Sequence, residues 1–91
     1  MRTDHPKRFL AEVKVTLKPV VNDPQGLVVK GALHSLGYPE VVKTRVGKYL
    51  VLELDAEDED VAGRRVEEMC RQLLCNGVIE DFSFTLAPGT S

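Results

Sequence analysis

The stretch Asp23-Pro24-Gln25-Gly26 could form an anion site, because a run with helical spacing begins there. Helix N-termini present unpaired backbone amides that bind phosphate and carboxylate groups. Here the leading residue is itself a carboxylate, and no glycine-rich loop precedes it. We therefore interpret Asp23 as the helix cap and Pro24 as the first helical residue. Gly26 costs helix stability, which suggests close approach by another backbone or another subunit.

Two other groups of residues could bind ions, but their spacing favours structural roles. The acidic run Asp55–Asp60 lacks the glycine and the distal bidentate glutamate of a calcium-binding loop, so we interpret it as a helix start that complements the helix dipole. Arg45, Gly47 and Lys48 could contact a phosphate or a carboxylate. On the residues alone, a solvated hairpin tip is the favoured interpretation for these three.

The nucleophiles and bases of the chain form no recognisable catalytic pattern. His5 and His34 have no carboxylate or thiol at a catalytic spacing. Cys70 and Cys75 lie five residues apart in one predicted helix, about 140° apart around its axis, so we interpret them as two buried thiols. We therefore predict no catalytic residue, no cofactor-binding residue and no metal ligand in this chain.

Composition predicts one small globular domain spanning residues 1–91, with flexible ends at 1–8 and 87–91. The formal net charge is −2 with acids and bases interspersed, whereas a nucleic-acid partner would call for a basic excess on one face. No apolar run approaches the ~20 residues that span a bilayer, and the first residues contain no apolar signal core. We expect a cytoplasmic protein with neither nucleic acid nor membrane as a partner.

Hydrophobic periodicity predicts the order β-α-β-β-α-β. The run FLAEVKVTL alternates like a strand, and apolar residues from Leu27 to Leu36 space like a helix that ends at Gly37. EVVKTRV and YLVLEL are predicted to pair around a type II′ turn at Gly47-Lys48. A second helix and the strand VIEDFSFTL follow. This order predicts an α+β, ferredoxin-like fold: a four-stranded antiparallel or mixed sheet with two helices on one face.

The other face of that sheet is predicted to stay uncovered. It would carry Leu10, Tyr49, Val51 and Ile79 among charged residues. Exposed apolar patches of this kind often mark an interface. We therefore predict that the chain self-associates, at least as a dimer, through this face or an edge strand.

Four segments together resemble the small subunit, PurS, of phosphoribosylformylglycinamidine synthase. They are VTLKPVVNDPQG (15–26), ALHSLGY (32–38), TRVGKYLVLEL (44–54) and MCRQLLCNGVIEDF (69–82). The chain departs from the usual family pattern in three places. It has Gly77 after Asn76 where proline is frequent, Cys75 where alanine is usual, and Phe82 where tyrosine is common.

This resemblance implies an enzyme subunit without an active site. It would bridge a glutaminase subunit and a large synthetase subunit and help ammonia pass between them, in the conversion of formylglycinamide ribonucleotide, glutamine and ATP during purine synthesis. ATP and Mg²⁺ would be used by the large subunit. Under this reading we expect Asp23, Gln25, Gly26, Arg45 and Lys48 to contact the partners.

Two alternatives use the same element order. One is an ACT-like regulatory domain that binds a small ligand. The other is an acylphosphatase-like enzyme, which would need a phosphate cradle with an arginine after the first strand, and KPVVNDPQG provides none.

Overall fold

The computed structural model describes residues 7–89. The elements are β1 (Lys7–Leu17), α1 (Pro24–Ser35), β2 (Gly47–Ala56), α2 (Glu59–Met69), which continues into a π-helical turn (Cys70–Leu74), and β3 (Glu80–Pro88). His5 lies outside the described residues, as do most of the predicted flexible ends. Residues 7–8 and 87–88, at the inner edges of those ends, lie in paired strands, and the flexibility of the ends stays a prediction.

The sheet has the order β2-β1-β3, and β1 pairs antiparallel with both neighbours. Val13 stands at the centre of the register, opposite Leu50 on β2 and Phe84 on β3. One face of β1 is buried, as its alternation predicts; its residues are Phe9, Ala11, Val13 and Val15.

The structure contradicts the predicted four-stranded sheet, because residues 7–89 form three strands. The segment 41–46 forms no strand. Gly47 and Lys48 begin β2 by pairing with Thr16 and Val15 instead of turning a hairpin. At the end of this segment the amide of Val46 donates to the carboxylate of Asp23 at 2.9 Å, so it is bound by a side chain instead of a strand partner.

Helix α2 covers the buried face of the sheet and supplies the rest of the core. Asp58 caps it by accepting from the amide of Val61 at 2.9 Å, so the acidic run opens a helix as predicted. Val66 and Cys70 are fully buried against β1. Cys70 and Cys75 are both buried and free, which confirms their interpretation, and burial raises the pKa of the Cys70 thiol.

Helix α1 does not lie on the sheet, contrary to the prediction that both helices share one face. Its only buried residue is Gly26. The described chain is elongated, 64 × 28 × 14 Å, with a radius of gyration of 17.8 Å. A compact domain of this length would have a radius of gyration near ~12 Å. The difference reflects a helix that projects from the end of the sheet.

The boundaries of α1 follow the sequence signals although its packing does not. Pro24 is its first residue, and Gly37 follows it with φ of +100°, a left-handed conformation that favours glycine. Its apolar stripe, which we expected to be buried, faces outward: Leu27 is 60% exposed, Val28 72% and Leu36 74%.

Candidate assembly site at the root of the helical arm

The chain leaves the sheet after Leu17, forms α1, and returns to begin β2 at Gly47. We call residues 24–43 the arm. We call the place where the outgoing connection (18–23) meets the returning connection (44–46) the root. Of the five residues predicted to contact partners, Asp23 and Arg45 belong to the root, and the other three lie within three residues of it. The geometry of the root therefore decides which of them face outward.

Asp23 links the two connections through its carboxylate. One oxygen, Oδ1, accepts from the backbone amide of Gly26 at 2.8 Å, which confirms the predicted helix cap. The other, Oδ2, accepts from the amide of Val46 on the returning connection at 2.9 Å. These two hydrogen bonds, and then the nearby guanidinium of Arg45, lower the pKa of Asp23 below 3.8. The side chain is only 5% exposed, so it has little surface to offer a partner.

Arg45 makes the reciprocal link, from the returning connection to the outgoing one. Its Nη2 donates to the carbonyl of Lys18 at 2.8 Å and makes a longer contact of 3.4 Å with that of Leu17. Its Nη1 donates to the carbonyl of Val21 at 3.1 Å. Its Nε lies 3.9 Å from Oδ2 of Asp23. Arg45 is therefore engaged within the chain rather than presented at a hairpin tip.

Gly26 permits close packing at the root. A Cβ atom added there would lie 2.2 Å from the carbonyl oxygen of Thr44 and 2.9 Å from Oδ2 of Asp23. The backbone that approaches this glycine therefore belongs to the same chain. This contact gives a structural reason for glycine in the first turn of a helix.

Gln25 and Lys48 are the predicted contact residues that remain exposed. Both line a cleft of about 330 Å³ beside the root, with Val15, Leu17 and Glu80 among its other walls. The Nζ of Lys48 is 4.0 Å from a carboxylate oxygen of Glu80 and 3.4 Å from the carbonyl of Leu74. This solvent-screened ion pair is worth little on its own. Contact of these residues with a partner stays a prediction.

The four residues predicted for self-association do not form one patch. Tyr49 and Val51 are exposed on the open face of the sheet, with half-buried Leu10 beside them. Ile79 lies in the turn before β3, where its carbonyl accepts from the amide of Lys18 at the far end of β1. Partial desolvation and a hydrogen bond to Glu12 raise the pKa of Tyr49. Self-association through these residues stays a prediction.

Sequence reasoning missed the exposed apolar surface of the arm, although a signal was present. At about 100° per residue, the apolar residues of α1 cover roughly two-thirds of the helix circumference. A helix packed on one core needs a narrower stripe. The exposed apolar residues of the arm are Leu27, Val28, Val29, Leu36, Tyr38 and Val42.

The described part of the chain offers no metal site and no membrane helix. Across residues 7–89, no three His, Cys, Asp or Glu side chains converge to hold an ion. No helix in the same range has the length and apolar character needed to cross a bilayer. What the described residues do present is a projecting helix with an uncovered apolar surface.

A small α+β chain with such an exposed apolar arm has the features of a protein that acts by contact with other chains. Comparison with known proteins identifies the family. The model for PurS, described as phosphoribosylformylglycinamidine (FGAM) synthase, matches residues 10–88, and the chain belongs to this family. The resemblance stated from the sequence is thereby confirmed.

Three relatives illustrate the match. The phosphoribosylformylglycinamidine synthase subunit PurS of Synechocystis is 46% identical over 86% of this chain and 78% of its own length. The Methanocaldococcus jannaschii PurS structure, one of the subunits of formylglycinamide ribonucleotide amidotransferase, is 32% identical with a TM-score of 0.80 over 90% and 99% of the two chains. A chain of PurLQS from Thermotoga maritima is 30% identical with a TM-score of 0.82 over 88% and 98%.

Proposed function

We propose that this chain is the non-catalytic assembly subunit of a phosphoribosylformylglycinamidine synthase in purine biosynthesis. It bridges the glutaminase and large synthetase subunits and assists the transfer of ammonia between them. ATP and Mg²⁺ are used by the large subunit, and the complex works in the cytoplasm. The family match supports the enzyme, and the PurLQS structure of a relative supports the three-component assembly.

The observation that carries the assembly role is the projecting arm. Helix α1 has 12 residues and buries only Gly26 within its own chain. Isolated helices shorter than ~12–15 residues are marginal in water, and most helices in proteins are stabilised by burying an apolar face. Burying one leucine side chain contributes about 1.5–3 kcal/mol. Leu27, Val28 and Leu36 together therefore offer several kcal/mol to whichever chain covers them.

A second copy of this chain is the first partner that the arm requires. A folded α1 must be covered to be stable, and the chain's own sheet leaves the cleft beside Val15 and Leu17 open. We propose that two copies associate so that the arm of each packs on the other. The open-face residues Leu10, Tyr49 and Val51, with Ile79, remain the second candidate surface for this contact.

The alternative functions have no observation in their favour. An ACT-like regulatory domain needs a small-ligand site, and an acylphosphatase needs a phosphate cradle after the first strand. The corresponding segment here is the root, where Asp23 places a carboxylate and Arg45 is committed to backbone carbonyls. The family match over residues 10–88 also decides against both.

Reconstitution of the three-subunit enzyme tests the proposal. Turnover is measured with glutamine and, separately, with ammonium chloride as nitrogen donor, with and without this chain. We expect omission to abolish the glutamine-dependent reaction and to spare the ammonia-dependent one. Unchanged glutamine-dependent turnover without the chain would refute the bridging role.

A matched pair of variants then tests whether the arm is the surface used. Leu36→Glu places a charge on the exposed arm, whereas Gln72→Glu places one on an exposed position of the π-helical turn. We expect Leu36→Glu to weaken self-association and glutamine-dependent turnover, and Gln72→Glu to leave both unchanged. Equal behaviour of the two variants would exclude the arm.

A further inference from the structure

We propose that Arg45 is a positioning residue: together with Asp23 it locks the angle between the arm and the sheet, so that α1 is presented to partners already oriented. This inference rests on the proposed assembly function. It also revises the expectation that Arg45 contacts a partner, because its effect would be exerted through the arm.

The geometry of the root supports this assignment, because each connection is held by a side chain from the other. Arg45 on the returning connection donates to carbonyls of Lys18 and Val21 on the outgoing one, at 2.8 and 3.1 Å. Asp23 on the outgoing connection accepts from the amide of Val46 on the returning one at 2.9 Å. Without these links, two connections that lack regular secondary structure would join the arm to the sheet, and the arm angle would be free to vary. We call the reciprocal pair the clasp.

The clasp has the properties expected of a rigid joint. Asp23 is 5% exposed and the Arg45 side chain 27%, so solvent screens their hydrogen bonds less than it would at an open surface. A guanidinium holds several donors in one plane and can reach more than one carbonyl at once, which an ammonium group cannot do in the same way. Gly26 brings the arm close enough to Thr44 for the clasp to form.

A fixed arm has a consequence for binding. Ordering a mobile segment at an interface opposes association, and holding that segment in its bound orientation removes this cost. The clasp therefore strengthens assembly without touching a partner. Its loss should weaken assembly while leaving the sheet and α2 folded, because neither Asp23 nor Arg45 belongs to the core clusters built around β1.

The arm angle can be measured directly by pulsed electron resonance between two spin labels. One label is attached through Ser35→Cys at the end of α1 and the other through Ser83→Cys on β3. Cys70 and Cys75 are buried, and protein without the introduced cysteines serves as the labelling control. Labelled chains are diluted with unlabelled ones, so that distances within one chain dominate. The distribution is compared for the parent, Arg45→Gln, Arg45→Lys and the control Arg65→Gln, whose arginine lies on α2 and pairs with Glu68.

We expect Arg45→Gln to broaden the distance distribution, Arg45→Lys to broaden it less, and Arg65→Gln to leave it unchanged. In the reconstituted enzyme, Arg45→Gln should raise the subunit concentration that gives half-maximal glutamine-dependent turnover by about tenfold, with the plateau unchanged. A distribution as narrow in Arg45→Gln as in the parent overturns the inference. If Arg45→Gln fails to fold, the Arg45→Lys comparison decides alone.

A double-variant cycle separates positioning from direct contact. Asn at position 23 can accept from only one of the two amides that Asp23 serves, so Asp23→Asn opens the clasp from the other side. If both residues act through the clasp, the double variant Asp23→Asn/Arg45→Gln is no weaker in assembly than the weaker single variant. Additive losses mean that Arg45 binds a partner directly and overturn the inference. If the parent chain itself gives no glutamine-dependent turnover, the bridging role fails, while the distance measurement still decides the clasp.

Discussion

The close approach at Gly26 predicts that substitution by alanine changes stability in opposite directions at two glycines of this chain. Gly26 and Gly63 both lie inside helices, and neither has a positive φ. An added Cβ at Gly26 would lie 2.2 Å from the Thr44 carbonyl oxygen, whereas one at Gly63 would lie 3.6 Å from Cδ1 of Leu86, an ordinary contact. Gly26→Ala and Gly63→Ala therefore make the same chemical change in different surroundings.

The expected magnitudes follow from these distances. Alanine in place of glycine within a helix is worth about 0.8–1.0 kcal/mol of stability, and Gly63→Ala should gain close to that amount. At Gly26 the obstacle is backbone, which no side-chain rotation can relieve, and forced overpacking costs about 1–3 kcal/mol. Moving Thr44 also strains the neighbouring bond between Val46 and Asp23. After the propensity gain is subtracted, we expect a net loss of up to about 2 kcal/mol for Gly26→Ala.

Thermal unfolding at one fixed protein concentration measures both variants, because self-association makes the midpoint depend on concentration. About 1 kcal/mol corresponds to roughly 4–8 °C for a domain of this size. Gly63→Ala should melt higher than the parent and Gly26→Ala lower, with weaker self-association in the second. A Gly26→Ala protein as stable as Gly63→Ala would refute the close approach at the root.

Three further predictions follow from the core, the clasp and the arm. Val66→Ala should lower the free energy of unfolding by about 2 kcal/mol, because it leaves a cavity between α2 and β1; chemical denaturation measures it. Because the pKa of Asp23 is lowered in the folded chain, ionised Asp23 contributes its full stabilisation above pH 3.8, and this stabilisation is lost as the pH falls through the folded-state pKa. The melting temperature should therefore fall less steeply on acidification in Asp23→Asn than in the parent. Val28→Glu should shift sedimentation at micromolar concentration toward the monomer while the circular dichroism of the sheet is retained. A pH profile of Asp23→Asn that matches the parent, or a Val28→Glu protein that still self-associates, would contradict the corresponding argument.

Local pattern was sufficient for the elements that pack within the chain. Alternation along β1 predicted one face made of Phe9, Ala11, Val13, Val15 and Leu17; the first four are buried and Leu17 is half-buried. Helix α2 begins at the acidic run because Asp58 caps its first turn and negative charge there is favoured by the helix dipole. Both effects act within one turn, so the sequence is enough to predict them. Each of these features depends on residues a few positions apart or on a single buried face.

The sequence could not show which alternating segments would find a partner. Val42, Thr44 and Val46 alternate like a strand, yet within residues 7–89 they pair with none of the three strands. A strand needs backbone partners, and periodicity reports only which side chains would share a face. The same limit applies to α1, whose apolar stripe predicts burial without specifying which chain provides the covering surface.

Part of the family resemblance comes from residues at or beside the root, although the four segments also extend into β1, α1, β2 and the start of β3. Asp23 accepts from the amides of Gly26 and Val46, Gly26 packs against the carbonyl of Thr44, and Arg45 lies 3.9 Å from Asp23. These contacts tolerate little change in size or charge. The arm surface has looser requirements, because an apolar interface accepts Leu, Val or Tyr at many positions provided that volume is kept. A sequence motif therefore identifies how the arm is attached more readily than what the arm binds. For this reason, substitution at the exposed Leu36 tests partner contact, whereas substitution at Arg45 tests the geometry that presents it.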